Sequence, residues 1–235
     1  MRGGIIDNHT RFLADEIIKI APHCKSIDIG VGYFFFSGFE EIRDEIIDIP
    51  MRILVGLELD PKLINQLGKE YQDGTSFRPN TIHSYVSPTR SEKVKNFVDS
   101  TITGINYLQD FDESASADTL EILFEKLRNG TLEVRMTAKP EHSKYYVFHL
   151  KEESELGKLF PGMVIMGSSN LTTSGLRKQG ERNELFTENF RYQEWADTFV
   201  KDWEDSRTIT LIDKSDAPEF INKIRGFAKY IRVTI

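Results

Sequence analysis

The chain has 235 residues and a mass of 27.1 kDa; at about 150 residues per domain it fits one large domain or two small ones. Hydrophobic residues make up 39% and charged residues 29%, so neither a disordered tail nor a membrane-embedded chain fits. Lys and Arg number 30 against 37 Asp and Glu, a net charge of −7, which excludes a global electrostatic grip on nucleic acid and leaves phosphate binding to a local patch. A single cysteine, Cys24, excludes an internal disulfide and a cysteine-based zinc site. It reads as a reduced structural thiol in a cytoplasmic chain. No targeting segment is expected, and no apolar run approaches the ~18 residues that would span a bilayer.

Helical and strand patterns alternate along the chain, the mark of an α/β architecture. Phe12, Leu13, Ile17 and Ile20 repeat at helical spacing behind a cap at Asn8 or Thr10. Ile27 to Phe36 reads as a buried strand. Phe39, Ile42, Ile46 and Ile49 form the next helical stripe, ended by Pro50. Ile53 to Val55 is a second strand, and Asp60-Pro61 opens a short helix. Residues 70–90 read as an irregular excursion with a short strand near Ile82 to Val86. Ser91 then caps a long helix carrying Val94, Phe97, Val98, Thr101 and Ile102 on one face. Leu120, Leu123, Phe124 and Leu127 mark another helix, stopped by Asn129-Gly130. Strands follow at Leu132 to Met136, His142 to Leu150, Met163 to Gly167 and Arg182 to Thr187, with a solvated loop over 151–161. Tyr192, Trp195, Ala196, Phe199 and Trp203 line one helix, and Pro218 begins a last one with Phe220, Ile221 and Ile224. The chain ends on a strand-like run, Ile231-Arg-Val-Thr-Ile.

The chemistry concentrates in 139–184. His142 and Lys144 lie two apart on a predicted strand, so both leave the same face. An imidazole beside an ammonium is repulsive unless an anion sits between them, and a phosphate is the natural occupant. Then comes Gly167-Ser168-Ser169-Asn170, with Ser168 and Asn170 again two apart at a strand end, both able to donate to anionic oxygens. Gly167 lets the backbone come close. Glu181 follows eleven residues after Asn170. A carboxylate bonded to an imidazole fixes its tautomer and leaves the other ring nitrogen a usable nucleophile. Over 139–182, outside the acidic loop 151–158, five basic residues (Lys139, Lys144, Arg177, Lys178, Arg182) face two acidic ones (Glu141, Glu181). That is a basic patch on an acidic body.

His142-x-Lys144, Gly167-Ser168-x-Asn170 and Glu181, in that order, resemble the phospholipase D superfamily, the H-x-K enzymes. The stretch Gly-Ser-Ser-Asn-Leu-Thr-x-Ser-Gly-Leu followed by Glu-x-Asn is most similar to the nuclease branch. That branch includes single-motif nucleases, restriction endonucleases and modules fused to superfamily-two helicases. Gly32-Tyr-Phe-Phe-Phe-Ser37-Gly38-Phe39 is similar to the first strand and turn of those modules. The family's fuller motif has an aspartate five residues after the lysine, where this chain has His149.

The resemblance implies an α/β/α sandwich with a mixed central sheet. It implies phosphodiester cleavage in two steps through a covalent phosphohistidine on His142, with Lys144, Asn170 and Ser168 holding the non-bridging oxygens and Glu181 orienting the imidazole. No metal or other cofactor is expected. The chemistry takes two H-x-K copies; His23 and His149 also have a lysine two residues on, while His9 and His83 do not, but the Gly-Ser-x-Asn segment that accompanies His142-x-Lys144 occurs once, so a homodimer is expected. The partner is nucleic acid, DNA in the first instance, delivered with the help of a restriction or helicase domain, and no membrane is involved. Residues 1–210 are expected to form the domain and 211–235 a C-terminal helical extension leading into a longer protein. Plainer readings stand beside these: Ser168 closing a turn, Asn170 capping a short helix through Leu176, Glu184 competing with Glu181, Asn183 as a second candidate, and Trp195, Phe199 and Trp203 as core or dimer contact. Ser37-Gly38 reads equally as a plain turn. A lipid phosphodiesterase and a non-cleaving nucleic-acid-binding module are the alternatives in function.

Overall fold

The computed structural model describes residues 3–32, 34, 36–56, 89–109, 113–178 and 180–231. The expected helix at Asp60-Pro61, the short strand near 82–86, Tyr33, Phe35 and the run after Ile231 lie outside the described residues. Strand β5 (Lys144–Leu150) is buried at every position except the half-buried His149. A strand apolar on both faces must lie inside a sheet with layers on either side. Its neighbours are β2 (Cys24–Val31) and β6 (Gly162–Gly167), both antiparallel to it. The described sheet is completed by β1 (Gly4–Ile6), β3 (Met51–Val55), β4 (Leu132–Met136), β7 (Asn183–Phe186) and β8 (Ile209–Ile212), in the order β1-β7-β6-β5-β2-β3-β4-β8. The β2–β3 and β3–β4 pairs are parallel and the others antiparallel, so the sheet is mixed.

Side chains alternate between two cores. On one face Tyr146, Phe148, Ile29, Ile53, Val134 and Ile165 pack under α1 (Leu13–Ile20), α2 (Phe36–Glu40), α3 (Arg43–Ile46), α4 (Arg90–Gln109), α5 (Glu113–Asn129) and α7 (Ala217–Ile231). On the other, Tyr145, Val147, Val164 and Leu54 pack under α6 (Asn189–Glu204) through Ala196, Phe199 and Trp203. This is the expected α/β/α sandwich.

Several local expectations change. The strand from Ile27 stops at Val31, and Phe36 already begins a helix. The stripe Phe39, Ile42, Ile46 and Ile49 is buried as expected, but on two short helices broken at Ile42. Helix α4 is capped by Thr89 rather than Ser91: its hydroxyl accepts from the Glu92 N–H at 3.3 Å, and Glu92 accepts the Thr89 N–H at 2.7 Å, a reciprocal capping box. Asn8, at φ 55, accepts the Leu13 N–H at 2.9 Å and so caps α1 from within the preceding loop. Gly130, at φ 73, ends α5 in the left-handed conformation that glycine adopts without strain. Strands β1 and β8 are too short for periodicity to reveal. The expected boundary between residues 210 and 211 falls inside β8, which pairs with β4. Phe220 of α7 stacks on Phe97 of α4 at 6.4 Å.

Candidate active site

Register brings four strand ends to one edge of the sheet. Lys144 pairs with Gly167, Gly167 with Asn183, and Asn183 with Ile6. The loops beyond these residues, together with 137–143, lie at the carboxyl ends of the parallel strands β2, β3 and β4. Crevices at that end are where open α/β sheets bind ligands.

His142 sits before β5, in the loop, so strand alternation does not place it. Glu141 does. Its backbone N–H donates to the Gly56 carbonyl at 2.9 Å, and its carboxylate accepts the His142 and Ser143 N–H groups, each at 2.9 Å, and the Ser143 hydroxyl at 2.6 Å. The bonds from Ser143 hold the Glu141 carboxyl below its ordinary range. The turn presents the exposed His142 ring to Lys144, whose Nζ lies 2.5 Å from Nδ1 and 3.3 Å from Nε2 and donates to the His142 carbonyl at 2.5 Å. Lys144 itself is only 5% exposed. Burial brings its ammonium down to about 8, although Glu181 and Glu141 pull it upward. Burial first, and then the Lys144 charge, lowers His142 below its usual value. The imidazole is therefore neutral near pH 7, and its ring lone pair is turned to the Lys144 ammonium.

The second strand end is built as tightly. A Cβ at Gly167 would run into the Arg182 carbonyl and the Asn183 side chain. Asn183, buried at 3% exposure, donates to the Ser169 hydroxyl at 2.8 Å and accepts the Ser169 N–H at 3.3 Å. Tyr146 donates to the Ser169 carbonyl at 2.9 Å. Ser168 is left exposed, and its hydroxyl donates to the Glu181 carboxylate. Asn170 is half-buried beside it. The short helix that follows is a π-helical turn, Ser174–Lys178, whose start is capped by the Thr172 hydroxyl accepting from Gly175 N–H at 2.9 Å. Ser37 and Gly38 support this loop from behind: Thr173 donates its hydroxyl to the Ser37 carbonyl at 3.2 Å, and Phe34 bridges to Leu171.

His142, Lys144, Ser168, Asn170 and Glu181 thus gather at one end of the sheet, but with different partners from those expected. Glu181 bonds Ser168 and acts on Lys144 through its charge; among the described residues the hydrogen-bond partner of the His142 ring is Lys144. Arg177 does not join the basic patch, because Asp15 and Glu41 hold it on the α1 side. Asn183 is a support of the loop, and Glu184 points to the α6 face. Glu141 is the residue that sequence reasoning missed. Its signal was a carboxylate two residues before a serine, a local turn-forming pair.

His149 lies on the opposite face of the sheet. Its Nε2–H donates to Asp28 at 2.7 Å and its Nδ1 meets the Tyr192 hydroxyl at 2.8 Å. Arg52 grips the same Asp28 carboxylate at 2.6 and 2.7 Å and lies over the Phe199 ring at 5.0 Å. Burial pushes Asp28 up, but the bonds from His149 and Arg52 outweigh it and hold the carboxyl below its ordinary value. Asp28 thus supplies a carboxylate on the neighbouring strand, bonded to the His149 ring.

No protein-family model matches the chain, and neither does any curated protein sequence. Among solved structures, the chain is similar to a phospholipase D family member, Nuc from Salmonella typhimurium, at 10% identity and TM-score 0.44, over 89% of this chain and 97% of that one. It is similar to NucT from Helicobacter pylori at 10% identity and TM-score 0.43, over 89% and 98%. It is also similar to phosphatidylserine synthase from Haemophilus influenzae Rd KW20 at 11% identity and TM-score 0.47, over 98% of this chain and 45% of that one. Among the described residues no helix is long and apolar enough to cross a membrane, and no group of three or more His, Cys, Asp or Glu side chains is placed to hold a metal ion.

Proposed function

We propose that this chain is a phosphodiesterase of the phospholipase D kind that cleaves nucleic acid, DNA in the first instance. The observation that carries the reading is the contact between the Lys144 ammonium and the His142 ring, 2.5 Å apart, at the sheet edge where Ser168 and Asn170 also gather. An ammonium this close keeps the ring neutral, and an anionic phosphodiester that takes over the Lys144 hydrogen bond releases the ring lone pair for attack.

In this reading the neutral His142 nitrogen attacks phosphorus while the bond to the leaving oxygen breaks. The leaving oxygen takes a proton from a second imidazole, the His142 of another copy. That imidazole then removes a proton from water as it hydrolyses the phosphorus–nitrogen bond, and His142 is regenerated. Lys144, Asn170 and Ser168 hold the non-bridging oxygens as negative charge builds. Glu181 positions the Ser168 hydroxyl and balances the Lys144 charge. The buried ammonium supplies the cationic environment that a metal supplies elsewhere.

The test is cleavage of a labelled oligonucleotide in EDTA, wild type beside His142→Ala. Cleavage by the wild type and a fall of about 10³-fold or more in the variant are expected. A base-stable, acid-labile phosphoprotein adduct should be trapped from the wild type alone. Activity that EDTA abolishes would refute this mechanism. Binding without cleavage would favour the nucleic-acid-binding module, and cleavage of phospholipid vesicles instead of oligonucleotides the lipid phosphodiesterase.

A further inference from the structure

On the α6 face of the sheet a cleft of about 580 Å³ opens, with Ser143 and Lys144 at one end. Its volume lies within the range of about 300–1,000 Å³ usual for small-molecule sites. Its floor is a row across four strands: Ile5 pairs with Glu184, Glu184 with Met166, and Met166 with Tyr145. Paired residues project to the same side, and Tyr145 projects to α6, so Ile5, Glu184 and Met166 do too. Phe186, two residues beyond Glu184, extends this floor. Trp195 of α6 forms the wall, its indole packed on the Tyr145 ring at 4.7 Å between centroids. Ile5 is 66% exposed, and Phe186 and Trp195 are half-buried. The rim is cationic: Arg191 lies over the Phe186 ring at 5.7 Å, and exposed Arg182 lines the mouth.

We propose that this cleft holds an unpaired nucleobase adjoining the scissile phosphodiester, stacked on Trp195, with Glu184 accepting from an amino or ring N–H on its edge. The inference rests on the phosphodiesterase reading of the Lys144 end and adds to it the substrate class, single-stranded or locally opened nucleic acid. The lining decides between occupants. An acyl chain would strip water from Glu184, Arg182 and Ser143 and return no hydrogen bond. A base buries the same apolar floor with its flat face and bonds the carboxylate with its edge, while its phosphates meet Lys144 and the arginines. A base inside a duplex offers neither its face nor its pairing edge, so the strand must be open.

The test compares two single strands, one of ordinary nucleotides and one built entirely of abasic sites, in wild type, Trp195→Ala and Trp195→Phe. Trp195→Ala should lower kcat/KM on the base-bearing strand about tenfold or more and leave the abasic strand unchanged. Trp195→Phe should restore most of the loss. The wild type should cut the base-bearing strand faster than the same strand in a duplex. Anisotropy of both strands on His142→Ala, with and without Trp195→Ala, reads the cleft apart from cleavage. If the wild type cuts nothing but a base-over-abasic binding preference disappears with Trp195→Ala, the cleft stands and the phosphodiesterase reading falls. Equal losses on both strands overturn the cleft proposal. So does a base-to-abasic ratio that survives Trp195→Ala while sedimentation shows a changed oligomeric state, which would mark the cleft as a contact between copies.

Discussion

At the scale of single residues, the pair His142 and Lys144 sets a pH window. His142 must be neutral to attack, and its value is held below 6.5, so activity should rise with pH through a limb on the acid side of that value. The other copy's His142 must carry the proton it gives to the leaving oxygen, so activity should begin to fall as that imidazole loses it, and should fall again as Lys144 loses its proton through about 8. The charged neighbours that pull Lys144 upward, Glu141 and Glu181, are too few to offset its burial. A kcat/KM profile should therefore be bell-shaped. Lys144→Arg should remove the fall near 8 and leave the earlier one in place, because a guanidinium stays protonated. A fall near 8 that survives that change would assign it to another group. The pair was legible as H-x-K, but the reason for its closeness was not. Strand alternation would have aligned the side chains; a Glu141 turn stacks them instead, and a turn held by side-chain bonds leaves no period to read.

At the scale of elements, Lys126 shows a similar gap. It sits on α5 between Phe124 and Leu127 and is 1% exposed. Its ammonium donates to the carbonyls of Ile46, Ile47 and Ile49 at 2.8, 3.3 and 2.6 Å, closing the end of α3 that Pro50 leaves open. Burial brings it down to about 8. Lys126→Met keeps the volume and strands those carbonyls, so a loss of about 2–4 kcal/mol is expected in urea unfolding. A change under about 0.5 kcal/mol would show that other donors or water satisfy them. In the sequence, a lysine flanking an apolar stripe reads as a solvated edge, since nothing local shows that a second helix ends above it. By contrast, β5 and the apolar stripes of α1, α4 and α5 were legible, because β5 is a short apolar and aromatic run and the stripes repeat with a period of 3.6. The His149–Asp28 pair joins residues 121 apart in the chain, and no spacing rule reaches that far.

At the scale of the whole molecule, one H-x-K pair accompanied by Gly-Ser-x-Asn in 235 residues asks for a second copy in the proposed chemistry. Sedimentation should give twice 27.1 kDa. A tagged heterodimer of wild type and His142→Ala should be inactive, because the shared site would lack one of its two imidazoles. Full or half activity in the heterodimer, or cleavage by a monomer, would contradict the shared site. The net charge of −7 also predicts weak, salt-sensitive binding of DNA by this chain alone.

The sequence by itself determined the α/β class, the helical stripes, the central strands and the residues that carry the proposed chemistry, since each depends on spacings within a few residues. Tertiary structure alone decided that Glu181 serves Ser168, that Arg177 is spent on Asp15 and Glu41, that His149 faces away from His142, and that four strands lay a cleft floor beside Lys144. Those outcomes depend on sheet order and register, which couple distant segments through burial and hydrogen bonding and leave no local pattern.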